Sequence, residues 1–117
     1  MSKITVYEKP TCTTCRKVAK AFSEQGIDFE KVNYYIKPFT KSKLKELLYK
    51  MSMKPSELLR INDESYKKLK SKITHLTEDE ILNLMIKNPD LVQRPIVEKG
   101  NRAAILARPP ERIKELM

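Results

Sequence analysis

Apolar residues first gather in a short strand-like run, Ile4-Thr5-Val6-Tyr7. The spacing then becomes helical. Cys15, Val18, Ala19 and Phe22 follow the i, i+3, i+4, i+7 rule and predict a helix from about Thr13 to Gln25. Gly26 suits the position just past its end, because glycine takes the left-handed conformation cheaply. A second strand is expected over roughly Phe29 to Tyr35. There Val32, Tyr34 and Ile36 alternate, and only Glu30-Lys31 spoils the phase. Crossovers of this kind are right-handed, so the two strands should run parallel with the helix on one face.

Pro38 stops the second strand, and the middle of the chain turns helical. Thr40 is placed to cap a helix whose stripe is Leu44, Leu47, Leu48 and Met51. Pro55 opens a short helix carrying Leu58 and Leu59, with Arg60-Ile61-Asn62 at its end. Thr77 and Glu80 form a capping box for a helix with Ile81, Leu84 and Met85, ended by Asn88-Pro89. His75, between helices in a polar context, reads as a surface residue. The last third returns to strands. Pro95 to Glu98, a turn at Lys99-Gly100-Asn101, and Ala103 to Ala107 predict a hairpin, followed by a short helix over Glu111 to Leu116. The pattern predicts a single α/β domain over residues 1–117 with a mixed sheet. A helical insertion at about 40–90 separates its β-α-β and β-β-α halves.

A chain of 117 residues, 40% hydrophobic, fits one core. No stretch resembles a signal peptide and no run is long enough to cross a membrane, so a cytoplasmic protein with no membrane partner is expected. The net charge of +9 comes from 18 lysines and six arginines set against 15 acidic residues. The lysines interleave with Glu and Asp, as on a solvated face. Lys41, Lys43 and Lys45, or Lys67, Lys68, Lys70 and Lys72, would be the patches for nucleic acid, but stacking aromatics do not accompany them. Nucleic acid is therefore not the expected partner, whereas small anions would be attracted.

Both cysteines lie in one C-x-x-C, Cys12 and Cys15, between the first strand and the first helix. A helix N-terminus offers unpaired N–H groups and the positive end of the helix dipole, both of which favour thiolate over thiol. Lys9, Arg16 and Lys17 add positive charge and Glu8 opposes it. Two cysteines at this spacing also make half a zinc site, or two small core residues. Zinc needs four ligands and the chain has one His and no further Cys, so no metal is expected. The strand–C-x-x-C–helix context favours redox chemistry and a thioredoxin-type fold. Arg60, Arg94 and Arg108 form a second set of candidates, because guanidinium groups suit tetrahedral oxyanions. Arg94 and Arg108 flank one hairpin, so their backbones can approach. Three unrelated surface arginines remain the alternative.

Four separated stretches carry a family resemblance: Val6-Tyr7-x-x-Pro10-x-Cys12, Leu58-Leu59-Arg60-x-Asn62, Gln93-Arg94-Pro95-Ile96-Val97 and Ala107-Arg108-Pro109. In this order, over about Ile4 to Leu116, the chain resembles the glutaredoxin-coupled arsenate reductase family of ArsC type. The resemblance implies a thioredoxin/glutaredoxin-like fold with Cys12 as nucleophile. It implies that Arg60, Arg94 and Arg108, with backbone N–H groups at Thr13 and Thr14, hold arsenate. Pro95 would face the cysteine loop as a cis peptide. It further implies no bound cofactor, with electrons supplied by glutathione and glutaredoxin or by thioredoxin.

Two positions depart from the family pattern. Glu8 stands where well-known members have a histidine that helps ionise the cysteine, and Cys15 stands where they have serine. Cys15 thus offers an internal resolving thiol, which would favour thioredoxin as donor. The chain also resembles the Spx-type regulators, which use a C-x-x-C as a redox switch and bind the RNA polymerase α subunit. Those regulators share an Arg-Pro like Arg94-Pro95 but do not typically keep the arginines matching Arg60 and Arg108. A thiol reductase acting on glutathione adducts is a third reading.

Overall fold

The computed structural model describes residues 3–9, 11–100, 103–108 and 110–116. Pro10 and Pro109 of the motifs above, and Asn101 of the predicted turn, lie outside the described residues. The described chain forms two compact units. One comprises the residues up to Lys37 and from Arg94 onward, and the other spans Pro38 to Gln93.

The first unit contains β1 (Ile4–Glu8), α1 (Thr13–Glu24), β2 (Glu30–Asn33), β3 (Ile96–Lys99) and β4 (Ala103–Leu106), then a 3₁₀ run over Pro110–Leu116. The sheet order is β2-β1-β3-β4; β1 and β2 are parallel, whereas β3 is antiparallel to both β1 and β4. Ile4 and Val6 of β1, Val18 and Phe22 of α1, Val97, Ile105, and Ile113 and Leu116 of the 3₁₀ run share one core. Full burial of a side chain such as Phe22 stabilises by about 1.5–3 kcal/mol. α1 stops where Gly26 takes φ +67°. Its N–H bonds to Ser23 O and that of Ile27 to Phe22 O, and Ile27 packs back on the core.

Two predictions change here. The strand expected to reach Tyr35 ends at Asn33. Asn33 Oδ1 accepts from the Tyr35 N–H at 3.0 Å, and the Asn33 carbonyl accepts from Ile36 and Lys37, which turns the chain. Tyr34 is buried and Ile36 projects outward, so the alternation through them is not a strand. The short terminal helix is 3₁₀ and starts one residue early, at Pro110.

In the second unit, α2 (Lys41–Met51), α3 (Glu64–Ile73) and α4 (Glu78–Lys87) are joined by 3₁₀ turns at Pro55–Leu58 and Pro89–Leu91. Thr40 caps α2 through Lys43 N, and Thr77 and Glu80 cap α4 reciprocally, as their sequence signals predict. Leu82 is buried on α4, while Leu84 is only half-buried. No local signal is strong enough to predict α3. Only its Ile73 is buried, and Asp63 caps it through Ser65 N. His75 is exposed just beyond it. Among the described residues no helix is long and apolar enough to cross a membrane.

Candidate active site

The chemistry gathers at one end of the sheet in the first unit. Register explains why. Tyr7 pairs with Ile96 across the antiparallel β1/β3 ladder, so residues just after β1 and just before β3 meet. Glu8 pairs with Asn33 across the parallel β1/β2 ladder, which brings the turn after β2 to the same end. Cys12, donating its N–H to Lys9 O at 2.9 Å, is the N-cap of α1. Its Sγ occupies the place usually taken by a Ser or Asp oxygen and accepts the Cys15 N–H at 3.3 Å. Thr13 and Thr14 are the first two residues of α1, where N–H groups lack intrahelical acceptors. No acidic residue in the first turn offsets the helix dipole.

The two thiols differ. Cys12 is 9% exposed and Cys15 is fully enclosed. Burial disfavours a Cys12 thiolate, but hydrogen bonds from the Cys15 thiol, the Cys15 N–H and the Arg94 guanidinium outweigh it. They hold the Cys12 thiol below its ordinary pKa. Cys15 goes the other way. Burial, its thiol's hydrogen bond to Cys12, and the negative charges of Cys12 and Glu8 push it up to about 12. Glu8, 5% exposed, has its own pKa raised by burial against the pull of Lys31. Glu8 is thus among the groups that raise the Cys15 pKa.

Arg94 is 7% exposed and donates from Nη1 to Tyr35 Oη at 3.2 Å, and its charge favours the Cys12 thiolate. Its Nε is buried without a partner. The Arg94–Pro95 peptide is cis. This loop is tied at both carbonyls: Pro95 O accepts from Ala107 N at 2.9 Å, and Arg94 O accepts from Arg108 Nη1 at 3.1 Å. The structure thus brings Cys12, Cys15, Thr13, Thr14, Arg94, Pro95 and Arg108 to one unit. Arg60 belongs to the other, where Nη1 lies 3.2 Å from Asp63 Oδ1. The positive group bonded to Cys12 is Arg94, while the sequence neighbours Arg16 and Lys17 are exposed. Tyr34 and Tyr35 were missed as site residues. Asn33 directly ahead of them is a turn former, the one local signal that they leave the strand.

A thiolate-favouring cysteine at the head of α1, reached by a residue flanking a cis-proline, places the chain among thioredoxin-like thiol proteins. A family model described as the ArsC family matches residues 7–116, and the chain belongs to that family. An arsenate reductase of Escherichia coli is 33% identical over 119 residues, covering 100% of this chain and 82% of that protein. The global transcriptional regulator Spx 1 of Oceanobacillus iheyensis is 32% identical over 102 residues, covering 87% of this chain and 78% of that one. The solved arsenate reductase from Vibrio cholerae matches with a TM-score of 0.90 at 26% identity, over 99% of this chain and 98% of that one. Relatives at similar identity thus include enzymes and a regulator, so membership fixes the fold and leaves the activity to the site.

Proposed function

We propose that the protein is an arsenate reductase that works through a Cys12 thiol-arsenate adduct in the cytoplasm. The observation that carries this reading is the buried Arg94 side chain, whose Nε has no partner and whose charge favours the Cys12 thiolate. A desolvated cation beside a nucleophile suits an incoming oxyanion. Arg94 and Arg108, with the Thr13 and Thr14 N–H groups, hold arsenate. The Cys12 thiolate attacks arsenic; an S–As bond forms, and one oxygen leaves as water after protonation. A second thiol, Cys15 or glutathione, then attacks Cys12 Sγ. The S–As bond breaks with its electron pair left on arsenic, which becomes arsenic(III), and a disulfide forms. Thioredoxin, or glutathione with glutaredoxin, reduces that disulfide, and no bound cofactor takes part. Phosphate fits the same donors, but phosphorus(V) is not reduced by thiols, so the chemistry discriminates.

A second reading is a redox-sensing regulator that binds the RNA polymerase α subunit. It is favoured by the similarity to Spx 1 and by the presence of Cys15. Arsenate-dependent NADPH oxidation, with each donor system supplied in turn, tests the enzyme reading, and turnover with one of them is expected. Absence of turnover with both, together with a stable complex with the C-terminal domain of the α subunit, would establish the regulator instead.

A further inference from the structure

Tyr35 stands where three segments converge. β1 and β2 run parallel with Glu8 opposite Asn33, so Lys9 and Tyr35 leave the sheet at the same end. Arg94, just ahead of β3, arrives there from the other side of β1. The Tyr35 backbone is fixed by its N–H bond to Asn33 Oδ1, and the Tyr34 ring packs 5.1 Å from its own. The half-buried ring makes two different contacts. Its face receives Lys9 Nζ at 4.7 Å from the centroid, and its hydroxyl accepts from Arg94 Nη1 at 3.2 Å. Arg94 Cζ is 5.9 Å from the centroid, a separation that the hydroxyl contact accounts for. The ammonium thus sits closer over the ring, while the guanidinium, more distant over the same ring, is held by the hydroxyl.

Two cations held on one side chain repel each other, and a ring that binds both reduces that cost. The negative face of the ring suits the compact Lys9 ammonium, and the hydroxyl lone pair suits a planar guanidinium donor. We infer that Tyr35 is a positioning residue: it gathers Lys9 and Arg94 at the Cys12 end of the sheet and fixes the direction from which Arg94 reaches the Cys12 sulfur. The inference rests on Cys12 being the reactive thiol and not on which oxyanion it meets.

The test is the rate of Cys12 alkylation by iodoacetamide as a function of pH, with the labelled peptide identified by mass spectrometry. Tyr35→Phe keeps the ring and the Lys9 contact but removes the acceptor for Arg94. It should slow alkylation near neutral pH by about three- to ten-fold, the scale of one hydrogen bond to a charged group partly replaced by water. Tyr35→Leu should slow it at least as much, because it removes the same acceptor together with the ring. In an Arg94→Ala background, Tyr35→Phe should change the rate by less than about two-fold, since the group it positions is gone. A Tyr35→Phe rate equal to wild type, or the same fold-loss in both backgrounds, overturns the inference. So does a wild-type Cys12 no more reactive than an ordinary thiol. Tyr35→Phe leaves the ring in place, so the comparison stands even if Tyr35→Leu fails to fold. Alkylation uses no arsenate. Failure of arsenate turnover with this pattern intact would sink the enzyme reading and leave the positioning role standing.

Discussion

Truncating Arg94 is the perturbation that bears most directly on how Cys12 works. Arg94 is 7% exposed, its Nη1 bonds to Tyr35 Oη at 3.2 Å, and its guanidinium is among the groups that lower the Cys12 pKa. Hydrogen bonds to a charged group contribute about 1.5–3 kcal/mol net, and about 1.4 kcal/mol is a factor of ten. Losing the Cys12 contact in Arg94→Ala should therefore reduce the thiolate fraction near neutral pH by at least about ten-fold, moving the Cys12 pKa upward. Turnover loses more. A donor aimed at charge that develops in the transition state is worth about 10²–10³ in rate, so kcat/KM for arsenate should fall by that factor. Arg94→Lys should recover only part, because an ammonium cannot make the paired contact. The loop itself should hold, since Ala107 N–Pro95 O and Arg108 Nη1–Arg94 O bonds use backbone carbonyls that the substitution leaves in place. Alkylation rate against pH reads the first effect, steady-state kinetics the second, and circular dichroism the fold. Arg112, paired with Glu115 at 2.9 Å, gives the control Arg112→Ala, which should leave the rate near wild type. If Arg94→Ala alkylates like wild type, the guanidinium does not stabilise the thiolate and the account of Cys12 is wrong.

Further predictions follow from the same geometry. Mild oxidation should join Cys12 and Cys15, seen as the loss of two hydrogens within one peptide; exclusive mixed or intermolecular disulfides would remove Cys15 from the resolving role. Glu8→Gln removes a negative charge that raises the Cys15 pKa, so Cys15 in a Cys12→Ser background should alkylate faster at alkaline pH than with Glu8 present. The enclosed Cys15 is held neutral, so its contribution to stability is fully present below its ordinary value of 9.0 and is lost as pH rises toward about 12. Urea melts across that range should show a shallower decline for Cys15→Ser; identical slopes would contradict the raised pKa. Phe22→Ala should cost about 3–5 kcal/mol by urea denaturation, because the side chain is fully enclosed in the first unit's core.

Much of the local structure is determined by the sequence alone, because its causes lie within a few residues. The 3.6-residue spacing of Cys15, Val18, Ala19 and Phe22, with Gly26 behind them, sets α1 to within one residue of its observed end. Thr40 and Thr77 mark the starts of α2 and α4 by caps that reach only three residues ahead. The C-x-x-C announces its place at a helix N-terminus in the same way. α3 was not legible because its stripe is thin, with a single buried residue at Ile73. Tertiary structure decided the site. Nothing near Cys12 in the chain identifies Arg94 as its cation; that follows from the antiparallel register setting Tyr7 against Ile96, a long-range pairing. Tyr35 joins them only because Asn33 turns the chain and the parallel ladder sets Glu8 beside Asn33. The raised pKa of Cys15 depends chiefly on burial, and burial is a property of the packed sheet and helix. Periodicity and capping are written in neighbouring residues, whereas the charge around a thiol is summed over groups that only folding brings together.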